Sequence, residues 1–170
     1  MGLLIAIELF SLRFAMTTLS SVRAFVGGEG LWSKAQKSAV LQLHKYANDR
    51  KEEHYKRYLD YLQIPLGDRQ ARMEMEKPEF NRSLVYEGFL KGQIDYDDIG
   101  GLIELVRKFH QIPALHRALV IWTEGDRLFS ELIHEGERLH ETIAAKKSQV
   151  EVDAVLKNIE ELDGQLTVLE

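Results

Sequence analysis

Glu131-Leu132-Ile133-His134 and Glu137-Arg138-Leu139-His140 are the two places where the chain repeats a spacing with metal chemistry. Glu-x-x-His sets two ligands on one helix face, and di-iron bundles use it on two facing helices with further glutamates. Here both copies lie on one stretch, six residues apart, so they project about 120° from each other. They read as solvated helix-face histidines, and no metal is implied. His110 and His116 flank Pro113 without a carboxylate or thiolate to complete a coordination set. Ser33 and Ser38 lack a nucleophile elbow and a base at useful spacing. Gly27-Gly28-Glu29-Gly30 lacks the Gly-Lys-Ser/Thr that completes a phosphate-binding loop. With no cysteine there is no thiolate nucleophile and no disulfide framework. Catalysis is not expected, and no cofactor is implied.

Two clusters have ligand-binding chemistry. Trp32, Ser33, Lys34 and Lys37 stand at the expected start of a helix, where free amides and the helix dipole favour anions. Arg69 and Arg72 follow closely after Pro65 and carry guanidinium forks suited to a carboxylate or phosphate. Trp122 is placed to wall an apolar pocket. The candidate ligand-binding residues are therefore Trp32, Lys34, Arg69, Arg72 and Trp122. The plainer alternative makes both tryptophans core residues and pairs the arginines with Asp68, Glu74 and Glu76.

The elements that must position these residues read as helices throughout. Three prolines in 170 residues leave room for long ones. Apolar residues nearly surround the stretch from Leu3 to Met16, then thin to a stripe through Leu19, Val22, Phe25 and Val26. A full membrane span needs about 20 mainly apolar residues, and only Leu3–Ile7 are cleanly so. Residues 1–26 fit the continuation of a truncated first transmembrane helix or a buried bundle helix; no basic region and cleavage site mark a signal peptide. Gly27–Gly30 is expected to break the helix, with a second running from about Leu31 to Ala47 and a third from near Lys51. Pro65 is expected to kink or restart the chain, with Asp68 as the N-cap of the next helix. Short helices are expected at 80–91 and 97–110, then a long one from Ala114 to Lys147. Val152, Val155, Ile159, Leu162, Leu166 and Leu169 form an a/d seam, which calls for a partner: the first helix or a second copy of the chain.

Composition sets the outer bounds. At 45% apolar and 29% charged, the chain is neither disordered nor a multi-span membrane protein. A net charge of −5 argues against a general nucleic-acid binder. Residues 1–85 carry 13 basic and 10 acidic side chains, or +3, while 86–170 carry 9 and 17, or −8. Two halves packed on each other explain that asymmetry as well as an interaction surface does.

In the segments GGEGLWSKAQKSAVLQLHKYA, IPLGDRQAR and PALHRALVIWTEGD, the chain resembles the extracytoplasmic input region of bacterial membrane receptors. The resemblance covers about residues 5–170 and carries no ligand or residue role with it. It implies an all-α, elongated up-and-down bundle, 1–170, with long terminal helices and shorter ones between. It implies a ligand-sensing domain without enzymatic activity, facing the periplasm from the bacterial inner membrane and feeding a histidine kinase or diguanylate cyclase. Residues 149–170 would lead toward a second span. The expected partners are a small-molecule or periplasmic protein signal and a second copy of the chain in a homodimer. The alternative is a soluble helical scaffold that binds a protein through its C-terminal coiled coil.

Overall fold

Short local signals set the chain reversals. The computed structural model describes residues 2–109 and 111–169, with six helices and no strand among them: α1 (Gly2–Asp49), α2 (Glu52–Met75), α3 (Arg82–Lys91), α4 (Tyr96–Phe109), α5 (Pro113–Ala144) and α6 (Gln149–Leu169). The expected all-α bundle with long terminal helices is what forms. His110 lies outside the described residues, as do the side chains of Leu3, Leu4 and Leu115. α1 stops where Arg50 takes a left-handed conformation, φ 57°, and the Asp49 carboxylate accepts the Lys51 N–H at 3.1 Å. Glu52 and Glu53 then sit in the first turn of α2, complementing its dipole. Asn81 caps α3 by accepting from Ser83 N–H at 2.9 Å, and Asp95 does the same for Asp97 N–H before α4. Pro113 occupies the first turn of α5, where its missing N–H costs nothing. Ser148 and Glu151 form a reciprocal capping box that starts α6.

Two expected breaks do not occur. α1 runs without interruption through Gly27-Gly28-Glu29-Gly30, giving 48 residues, or about 72 Å, of single helix. Flanking contacts outweigh the glycine propensity cost: Ala24 and Phe25 are buried on one side, Ala35 and Gln36 on the other. A Cβ at Gly28 would come within 3.1 Å of Ile94 Cδ1, so the small residue also admits the neighbouring chain. Pro65 lies inside α2 rather than ending it. It cannot donate to the Tyr61 carbonyl, but Ile64, Pro65, Gly67 and Ala71 are all buried and hold the helix in line. Asp68 is consequently not an N-cap; it is a mid-helix residue turned inward.

The packed side chains divide into two cores stacked along α1. One is a four-helix bundle: Ala39, Leu43 and Tyr46 of α1, Tyr58 and Leu62 of α2, Leu132 and Leu139 of α5, and the α6 seam. That seam, from Val152 to Leu166, is buried against α1 and α5 of the same chain. The other core gathers Phe25 of α1, Ala71 and Met75 of α2, Val85 and Phe89 of α3, and Ile99 to Val106 of α4, with Trp122 of α5 against it. α2 and α3 cross at bare backbone, since a Cβ on Gly88 would lie 2.6 Å from the Gly67 carbonyl oxygen. Before Ser20, which donates to Asp98 at 2.9 Å, α1 overhangs the bundle. Ile5, Ile7, Leu9, Phe10, Leu12, Met16 and Leu19 are all exposed there, Phe10 by 72%. Among the described residues, no helix is long and apolar enough to cross a membrane.

Candidate functional site: a cavity between the two cores

Where the two cores meet, the packing leaves a cavity of about 430 Å³. Leu166 and Leu169 of α6 stand at one edge, while Phe89, Ile94 and Leu102 line the side of α3 and α4. α1 supplies the segment from Ala24 to Ser33, where Gly28 and Gly30 leave space that side chains would fill. α5 contributes Ala118, Ile121, Trp122, Gly125 and Asp126.

Four of the five residues expected to bind a ligand meet here: Trp32, Arg69, Arg72 and Trp122 all line the cavity. Trp122 stacks on Phe25 with ring centroids 4.6 Å apart, and Trp32 tilts against Phe129 at 5.6 Å. Lys34 is exposed and stands outside the lining. Two residues beyond Trp32 on a continuous helix, it is turned about 200° away.

The arginines are largely committed. Arg72, 8% exposed in its side chain, pairs with Asp126 and donates to Glu76 at 2.7 Å. Its partner Asp126 comes from the other half of the sequence, one instance of the halves neutralising each other. Arg69 donates to the Ser130 hydroxyl at 2.8 Å. Arg69, Arg72 and Asp126 also line an open charged cleft of about 870 Å³ on their far side, so they form the wall between the two spaces.

Besides Asp126, two further carboxyls in the lining were not among the expected residues. Asp68 is half-buried, and its buried Oδ1 has no hydrogen-bond partner among the described residues. Its carboxyl lies against Gly92, which has no side chain to offer it a donor. Burial without a partner pushes the Asp68 carboxyl up to about 8. Glu29 stands at the rim and accepts the Trp122 indole N–H; partial burial nonetheless raises it above the usual carboxylate range. The signal for Asp68 was present in the spacing: once α2 runs through Pro65, Asp68 and Arg72 are four apart and share a helix face.

The histidines of the Glu-x-x-His pairs go elsewhere. His140 stacks on Tyr55 at 4.0 Å and meets the Tyr46 hydroxyl at 2.9 Å, inside the four-helix core. His134 is exposed in the charged cleft. No group of three metal-ligating side chains forms among the described residues. Among the described residues, the cavity's own lining holds no histidine and no lysine. Its chemistry is that of holding a small polar molecule: apolar and aromatic walls, with a few polar groups that converge. Compared with protein-family models, curated proteins and solved structures, the chain matches none.

Proposed function

We propose that the chain is the ligand-sensing input domain of a bacterial membrane receptor, facing the periplasm and having no catalysis of its own. The observation that carries this reading is the position of the cavity. It is bounded by α1 and α6, the first and last helices, at the point where two separate cores abut. A molecule bound there with different affinity for two packings shifts α1 against α6. That motion would be passed to a kinase or cyclase module in a homodimeric receptor. The α1 overhang, with Leu9, Phe10, Leu12, Met16 and Leu19 exposed, supports a membrane tether. The scaffold alternative loses its main support, because the α6 seam it would use is occupied within the chain.

Ligand sensing is tested by a thermal-shift screen of small molecules against the wild type and Gly125→Leu. A Cβ at Gly125 meets only Trp32, at 3.9 Å, so a larger residue there fills the cavity without a backbone clash. Ligands that raise the wild-type Tm and fail to do so in Gly125→Leu support the reading; shifts that persist in both place binding elsewhere. The topology is tested separately. The chain has no cysteine, so Lys157→Cys, at a side chain 76% exposed, gives one reactive thiol. Labelling by a membrane-impermeant maleimide in whole cells is expected, and protection until lysis would overturn the periplasmic assignment.

A further inference from the structure

We infer that the α1 overhang is a coiled-coil surface and that its occupant is the α1 overhang of a second copy of the chain, parallel and in register. The inference rests on the homodimer of the proposed receptor and gives it a contact face; it does not depend on what the cavity binds. Ile5, Leu9, Leu12, Met16 and Leu19 follow one another at spacings of four, three, four and three residues. That is an a/d seam, with Leu9 and Met16 at a and the others at d. All five side chains are more than half exposed. The seam points away from the bundle. Ser21, Ala24 and Phe25, buried where α1 joins its own chain, occupy f, b and c of the same heptad frame. The α6 seam is buried against α1 and α5, whereas this one is left exposed.

Period and charge select a helix over a bilayer as the occupant. Lipid contact asks for apolar surface and imposes no period, whereas a heptad seam fits a second helix running beside it. Glu8 and Arg13, the two charged residues between Leu3 and Val22, fall at g and e on either flank of the seam. In a parallel pair, g of one helix meets e of the next heptad on the other, and Arg13 stands at that position relative to Glu8. Twofold symmetry makes the contact twice. An antiparallel pair sets g against g and e against e, so Glu8 and Arg13 would not meet. Exposed ion pairs add little affinity, so these set the orientation while the seam supplies the burial. Arg23 takes the next a position, where two copies would oppose like charges, so the paired stretch ends at Leu19. Ile7 and Phe10, exposed at f and b, stay on the outside of the pair, so pairing and a membrane tether use different faces.

The chain has no cysteine, so single replacements in the whole chain report which faces touch. A disulfide needs its two Cα atoms within about 7 Å, and a parallel in-register pair brings each d residue against its own copy. Under mild oxidation, Leu12→Cys and Leu19→Cys are expected to form interchain disulfides about tenfold faster than Ile7→Cys and Phe10→Cys. All four side chains are exposed, so the replacements leave the fold intact. Orientation is read by sedimentation equilibrium. Glu8→Arg should weaken the dimer several-fold, and Glu8→Arg combined with Arg13→Glu should restore it. The double variant decides, because Arg13 also interacts within its own chain. Equal rates at the four positions, faster coupling at Ile7 and Phe10, or no interchain disulfide overturns the seam, and so does a monomer that binds phosphatidylglycerol vesicles through the overhang. A double variant no tighter than Glu8→Arg overturns the parallel register. The sensory reading is decided separately, by the ligand screen with Gly125→Leu.

Discussion

The middle and the C-terminal stretch of the long α1 helix are packed by different rules. In the four-helix core the buried tyrosine hydroxyls are answered. The Tyr46 hydroxyl donates to Glu52 at 2.7 Å and meets His140, while the Tyr58 hydroxyl reaches the Ile133 carbonyl and its ring fits against Gly136. Burial and the nearby glutamates raise both tyrosine hydroxyls above their usual range, so they remain neutral donors. At the junction the accounts are left open. Asp68 Oδ1 has no partner among the described residues; Gln36 Oε1, between α1 and α6, has none either, although Gln36 Nε2 donates to Asp163 at 2.8 Å. Native proteins satisfy their buried polar groups where stability is the only demand. The contrast therefore separates a region built to hold from a region built to receive.

The severest way to break that contrast is to strip the buried Arg72–Asp126 ion pair from the junction. Asp126→Ala leaves buried Arg72 with only the exposed Glu76 carboxylate, and an expected loss of about 3 kcal/mol should appear in urea denaturation. A loss below about 1 kcal/mol would mean that the pair is not desolvated as it looks. Leu139→Ala, fully buried in the four-helix core, should cost about 2–5 kcal/mol with no effect on any ligand, separating the roles of the two regions.

The pH dependence sharpens the comparison next. Asp68 has a folded pKa of about 8 against an unfolded value near 3.9, so the native state binds the extra proton between those limits. The favourable contribution is complete below about pH 4 and is lost as pH rises through about 8. Asp68→Asn should flatten this decline and melt above the wild type at pH 8. Equal Tm values at that pH would show the carboxyl already neutralised. Gly88→Ala should cost about 1–3 kcal/mol, because its new methyl meets the α2 backbone rather than a side chain that can turn aside. The smallest effect belongs to Lys34→Ala. It should change stability by less than about 0.5 kcal/mol and leave ligand binding unaltered, since the side chain faces solvent.

Periodicity made the helices legible. The boundaries of α3, α4, α5 and α6 follow capping residues and Pro113 closely. The continuity of α1 and α2 was not legible, because glycine and proline propensities are local and the packing that overrides them is not: Ile94 against Gly28, Gly88 against Gly67. The site followed the same division. Trp32, Arg69, Arg72 and Trp122 were identifiable by type and do come together. Asp68 was hidden by one false boundary, which made it a cap, and Lys34 was included by another, which placed it at a helix start instead of on the outer face of a long helix. The a/d seam of α6 was evident from its spacing, but a seam does not name its partner, and here α1 and α5 take it.

The unbroken α1 also fixes an angular relation. One helix carries Phe25 in one core and Leu43 in the other, so neither core can turn about that axis without twisting the residues between. A single residue inserted at Gly27 would rotate everything after it by about 100°, whereas four would return it to within about 40° of its original phase. A change in the winding of α1 between Leu31 and Ala39, where it passes from one core to the other, would thus be read at both ends as rotation rather than as displacement.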